Sequence, residues 1–156
     1  MSQVELGRPI PDFQLPATGG RDIRLSDLLG EHHLVLYFYP RDDTPGCTTE
    51  GRDFTEHYGR LTQAGATVLG ISRDGIHSHE RFKDKYGFPF ELLSDEGEKV
   101  CELFGVMKLK NMYGKQVRGI ERSTFLVDRD GILRHEWRKV KVPGHVEQVL
   151  EALETL

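Results

Sequence analysis

Leu34-Val35-Leu36-Tyr37-Phe38-Tyr39-Pro40-Arg41-Asp42-Asp43-Thr44-Pro45-Gly46-Cys47-Thr48-Thr49-Glu50 runs from an apolar strand, through a proline and a polar turn, into a helix that begins under a cysteine. Leu34 to Tyr39 is nearly all apolar, as a central buried strand is. Thr44-Pro45 reads as an N-cap followed by proline in the first helical turn, where its missing N–H costs nothing. Cys47 then falls in that first turn. Free backbone N–H groups and the positive end of the helix dipole favour a negative sulfur there. The thiolate, not the thiol, is the nucleophile, so the placement points to a reactive cysteine rather than a packed one. The helix is expected to run to about Ala64, with Cys47, Phe54, Tyr58 and Leu61 on one side at helical spacing. That spacing sets the sulfur at the edge of a buried face.

Outward from this stretch, strands and helices alternate. Upstream, Phe13-Gln14-Leu15 and Ile23-Arg24-Leu25 flank the turn chemistry of Thr18-Gly19-Gly20, which predicts a hairpin. Ser26 to Gly30 reads as one capped helical turn. Downstream, Thr67 to Ser72 is a second apolar strand. Ser78 is expected to cap a helix through Tyr86, which Gly87 ends and Pro89 keeps from resuming. Phe90 to Leu93 reads as a short strand and Glu98 to Phe104 as a short helix. Residues 106 to 119 show no clear period and are expected to form a long excursion. Thr124 to Val127 and Ile132 to Val140 read as strands joined by Asp128-Arg129-Asp130-Gly131, whose Asp-Gly suits a tight turn. His145 to Leu156 is a last helix with Val146, Val149, Leu150 and Leu153 on one face. The order is α/β with a thioredoxin-like central β-sheet flanked by helices, and residues 1 to 156 are expected to form a single domain.

Composition excludes several classes. The 156 residues carry a net charge of −4, with 37% hydrophobic and 29% charged residues. That balance argues against nucleic acid or an anionic membrane as the main partner. No apolar run approaches the length of a membrane span. The first residues lack a basic region followed by an apolar core, so no secretory signal is expected and the cytoplasm is the expected compartment. Two cysteines in such a chain suggest thiol chemistry before a structural disulfide.

Pro40-x-x-x-Thr44-x-x-Cys47 resembles the peroxiredoxin signature, and the fuller string Tyr37 to Glu50 closely resembles the bacterioferritin-comigratory or Q-type branch of the AhpC/TSA superfamily. The resemblance continues through Leu93-Ser94-Asp95, Phe104-Gly105-Val106 and Arg122-Ser123-Thr124-Phe125-Leu126-Val127-Asp128, and so covers nearly the whole chain. It implies a thioredoxin-like fold with an extra N-terminal hairpin and a thiol-dependent peroxidase acting on hydrogen peroxide or an alkyl hydroperoxide. It also implies that Pro40, Thr44, Cys47 and Arg122 form the site, with Pro40 shielding the sulfur from water and Glu50 orienting Arg122. A hydroxyl on Thr44 would hydrogen-bond the sulfur and a bound oxygen. Thioredoxin or a small thiol is the implied reductant. No metal, flavin or haem is required, and a monomer is expected.

Cys101 is the second thiol. Branch members with a resolving cysteine five residues after the first would have it where Arg52 stands here. Those with it in the next helix would have it near Ser78 to Lys83, where none occurs. Cys101, flanked by apolar residues, is therefore expected to be a packed core thiol, with a resolving role as the alternative, and the cycle to need one cysteine. The histidines His77, His79, His32 and His33 lack metal-ligand spacing and are expected to be solvated, and Asp42-Asp43 to be turn residues. A Cys-x-x-Cys oxidoreductase is disfavoured because position 50 is Glu. A peroxide sensor relaying oxidation to a partner, and a binding protein with an inert thiol, remain as other readings of the same Cys47.

Overall fold

In the computed structural model, which describes residues 2 to 156, the strands β1 (Gln14–Ala17) and β2 (Arg21–Arg24) form the N-terminal hairpin, followed by a helical turn, α1 (Leu25–Leu28). Strand β3 (His33–Phe38) leads into α2 (Pro45–Glu56) and α3 (Tyr58–Gln63). Then come β4 (Ala66–Ser72), α4 (Ile76–Tyr86), β5 (Glu91–Ser94) and α5 (Lys99–Leu103). The chain ends through β6 (Met107–Met112), β7 (Lys115–Ile120), β8 (Ser123–Val127), β9 (Leu133–Trp137) and α6 (His145–Glu154). Seven strands make one mixed sheet in the order β2-β1-β5-β4-β3-β8-β9. The thioredoxin-like α/β expectation holds, hairpin included.

All six residues of β3 are buried, because the sheet is covered on both faces. The pleat sends alternate side chains to opposite faces. Leu34, Leu36 and Phe38 enter one core with Cys101, Phe104 and Phe125. Val35, Tyr37 and Tyr39 enter the other with Cys47, Phe54, Phe82 and the apolar face of α6. β3 runs parallel to β4 and antiparallel to β8, with Phe38 opposite Ser123. Three chain segments therefore converge at one end of β3: the loop leaving β3, the residues entering β8, and the segment leaving β4 toward α4. Ends of parallel strands are where open α/β sheets place their sites.

Four boundaries depart from the sequence expectation. The helix after Cys47 breaks at His57, whose ring Nδ1 lies 3.0 Å from the Asp53 carbonyl that its own N–H also reaches, and α3 resumes after it. Helix α4 begins at Ile76 with Gly75 as N-cap, since the Ser78 hydroxyl is drawn to Asp42 instead of capping. Strand β9 stops at Trp137, three residues short of Val140, just before Lys139 takes a positive φ of 51°. The expected excursion over 106 to 119 is in fact the β6–β7 hairpin, turning at Tyr113-Gly114 with positive φ at both. Residues 111 to 118 are exposed, so burial imposed no alternation for a sequence reading to find. Among the described residues no helix is long and apolar enough to cross a membrane.

Candidate active site

Cys47 sits in the first turn of α2, under Thr44 as N-cap and Pro45 at the helix start. It is 2% exposed. Phe54 of α2 and Leu61 of α3 are buried in the same cluster and Tyr58 packs against it, so the expected face is kept across the break at His57. The Thr44 hydroxyl donates to the Arg41 carbonyl at 2.9 Å, so it neither caps α2 nor donates to the sulfur as expected. A donor already committed to a carbonyl leaves the hydroxyl's lone pairs as its free capacity. Pro40 is half-buried at the end of β3.

Arg122 arrives from the other side. It precedes β8, and the register of β8 on β3 brings it to the end of β3. Its Nη2 lies 3.3 Å from Cys47 Sγ and its Nη1 donates to Glu50 Oε1 at 2.7 Å. One planar guanidinium thus bridges the sulfur and the carboxylate, a geometry its fixed fork permits and an ammonium does not. Burial works against the Arg122 charge, but Glu50 and Cys47 hold its pKa above the ordinary value. Nη2 is also 3.0 Å from where a Cβ on Gly46 would stand, so any larger residue there would press on the guanidinium.

Glu50 is fully buried, not a solvated helix charge. Its second oxygen, Oε2, has no hydrogen-bond partner among the described residues. Burial pushes its carboxyl up to about 7, against the pull of Arg122. Below about 4.5 Glu50 is neutral folded or unfolded. Between 4.5 and 7 the unfolded chain gives up the proton that the folded one keeps, so stability falls as pH rises, at about 1.4 kcal/mol per unit of difference. His145, which burial lowers to about 4, slopes the other way, losing stability as pH falls from 6.5 toward 4. Chemical denaturation of wild type and Glu50→Gln across pH 4 to 8 separates the two. The stability of wild type relative to the variant should fall between pH 4.5 and 7. A difference flat with pH would refute the assignment.

Cys101 lies in the core on the opposite face of the sheet from Cys47, 0% exposed. Its N–H donates to buried Asp95 at 2.7 Å. Burial, with the Asp95 carboxylate beside it, pushes the thiol pKa far up.

Two side chains that the sequence offered only as bland ones are part of this region. Asp42 is buried, not a free turn residue, and accepts from Tyr39 Oη at 2.6 Å and Ser78 Oγ at 2.7 Å. His79 is fully buried, not solvated, and its Nδ1 meets Asp42 Oδ2 at 2.7 Å. No local pattern announces either, because the burial comes from α4 closing on the loop after β3. Asp42, Asp74 and His79 bring potential metal-ligand atoms within 4.8 Å of one another, but hydrogen bonds among themselves and to Tyr39, Ser72 and Ser78 occupy those atoms.

A thioredoxin-like sheet that sets a lone buried thiol in the first turn of a helix, against a guanidinium from a distant strand, defines a peroxiredoxin. Residues 6–136 match the AhpC/TSA family. Peroxiredoxin Bcp of Xanthomonas campestris is 52% identical over 155 residues, spanning 98% of this chain and 96% of that one. Peroxiredoxin Bcp of Bacillus subtilis is 46% identical over 153 residues, spanning 98% and 97%. The crystal structure of a PrxQ mutant from Xylella fastidiosa superposes with a TM-score of 0.93 at 43% identity, covering 99% of this chain and 98% of that one. The chain belongs to the AhpC/TSA family as a Bcp/PrxQ-type peroxiredoxin, a thiol-dependent peroxidase.

Proposed function

We propose that Cys47 reduces hydrogen peroxide and alkyl hydroperoxides through a one-cysteine cycle. The observation that carries this is the 3.3 Å contact between Arg122 Nη2 and Cys47 Sγ, with Glu50 fixing the other arm of the guanidinium. A thiolate there attacks the nearer peroxide oxygen along the O–O axis. The O–O bond breaks, the attacked oxygen keeps its hydrogen as the S–OH group, and the leaving oxygen takes from solvent the proton released when the thiol became a thiolate, departing as water or alcohol. The sulfur, oxidised by two electrons, becomes a sulfenic acid. Arg122 and the first-turn amides of α2 face the charge that moves onto the peroxide oxygens. Thr44 Oγ, whose own proton goes to the Arg41 carbonyl, accepts a hydrogen bond from the peroxide O–H, and half-buried Pro40 limits water at the sulfur. Alkyl peroxides enter the reading because a structure of the X. campestris relative, 52% identical, was solved to account for its alkyl peroxide reduction activity.

An external thiol then attacks the sulfenic sulfur, releases water and forms a mixed disulfide, which a second thiol reduces. Thioredoxin or a small thiol fits that role, in the cytoplasm, with the chain acting as a monomer. The one-cysteine cycle is favoured because Cys47 and Cys101 occupy the two cores on opposite faces of the sheet. Residues 1 to 156 act as one domain in this reading.

Intact mass after one equivalent of hydrogen peroxide with dimedone present, on wild type and Cys101→Ser, tests the cycle. A dimedone adduct on Cys47 is expected in both. Loss of two hydrogens in wild type alone, without adduct, would make Cys101 the resolving thiol.

A further inference from the structure

We propose that His79 is a positioning residue for peroxide reduction, acting through Asp42 on the loop that carries Pro40 and Thr44. The inference rests on the reading of Cys47 above. Helix α4 presents no nucleophile or acid to the reacting atoms, yet it holds the loop through a buried polar cluster. His79 Nε2 lies 2.9 Å from the Leu93 carbonyl, which has no proton to give, so Nε2 is a donor. Asp42 Oδ1 accepts from Tyr39 Oη, and Oδ2 accepts from Ser78 Oγ and from His79 Nδ1 at 2.7 Å, so both ring nitrogens, each facing an acceptor, act as donors. Tyr39 Oη also lies 3.4 Å from Nδ1. The Asp42 N–H in turn donates to Asp74 Oδ2 at 2.9 Å, and Asp74 is fixed by the Ser72 hydroxyl at 2.6 Å. Asp42 is thus held at both its carboxylate and its backbone by residues just past the ends of β3 and β4 and by α4.

The neighbouring peptide carries the effect forward. The Arg41 carbonyl adjoins Asp42 and accepts the Thr44 hydroxyl at 2.9 Å. The orientation of Thr44, three residues before Cys47, therefore depends on where Asp42 is anchored. Buried polar groups that lose a partner cost more than the bond itself, so the loop has one satisfied position while His79 is in place.

Two replacements separate the bond to Asp42 from the bulk of the ring. Asn places its amide where Nδ1 sits and keeps a donor to Asp42. Gln places its amide where Nε2 sits, keeps the bond to Leu93 and leaves Asp42 short of a partner. The measurement is the single-turnover rate of Cys47 oxidation by hydrogen peroxide, on variants whose circular dichroism matches wild type. His79→Gln should be slower by ~10- to 100-fold, the range a small misplacement of a reacting group produces, while His79→Asn stays within about threefold of wild type. Equal rates for the two variants, both fast or both slow, would overturn the proposal, since a packing role makes no distinction between them. Should either fail to fold, Ser78→Ala, at a half-buried position, removes another donor to the same carboxylate. It should slow oxidation several-fold, and an unchanged rate would overturn the proposal equally. An unreactive wild-type Cys47 would instead overturn the functional reading itself.

Discussion

Arg122→Gln is expected to slow the reaction of Cys47 with hydrogen peroxide by ~10²- to 10³-fold, the effect of deleting a donor aimed at charge developing in a transition state. Nη2 is the hydrogen-bond donor on Cys47 Sγ, at 3.3 Å, and it sits in a site where water is largely excluded. Charges interact more strongly in such surroundings than in water. The guanidinium that contacts the sulfur also faces the oxygen that departs during attack, so the barrier rises when it goes. Gln retains a donor but neither the charge nor the fork that reaches Glu50 and Cys47 together. The fold should survive, because a carboxyl that burial already pushes to about 7 takes a proton when its cation is removed. Competition for limiting peroxide against a haem peroxidase gives the rate constant. A value within about threefold of wild type would remove Arg122 from the mechanism, a threefold change being worth under about 1 kcal/mol.

Phe104→Ala is expected to cost about 3–5 kcal/mol of stability, the range for deleting a buried aromatic ring. Phe104 is fully buried on the face of the sheet away from Cys47. Its ring packs on Phe125 at 4.8 Å, Phe38 at 5.1 Å and Phe13 at 6.1 Å between centroids. Those partners come from β8, β3 and the segment before β1, so no single neighbour can move in to fill the space. The site lies across the sheet, so the rate constant of the folded fraction should change little. A denaturant midpoint like that of wild type, with an unchanged slope, would show that this core repacks freely.

The site was half legible in the sequence. Pro40, Thr44 and Cys47 lie in one local stretch, and the strand and proline-led helix around them follow from residue pattern alone. Arg122 and Glu50 were named through family likeness, and their 2.7 Å pairing spans 72 positions that no periodicity connects. Asp42 and His79 gave no signal, because an aspartate in a turn and a histidine on a polar helix have the same pattern whether buried or solvated. The β6–β7 hairpin failed for the opposite reason. It stands off the main sheet with both faces of residues 111 to 118 exposed, so its sequence carries no record of a core.

By itself, then, the sequence determined the alternation of strands and helices, the glycine stop of α4 at Gly87 and the placement of Cys47 in a first helical turn. Each depends on contacts within a few residues, which leave their period in the chain. The tertiary structure alone decided that β8 would lie antiparallel against β3 and deliver Arg122 to the sulfur. It decided that Cys101 would face the other core, and that α4 would bury His79 against Asp42. Those are consequences of strand order and of the pleat sending neighbours to opposite faces, which the burial of the whole chain sets and no single segment encodes.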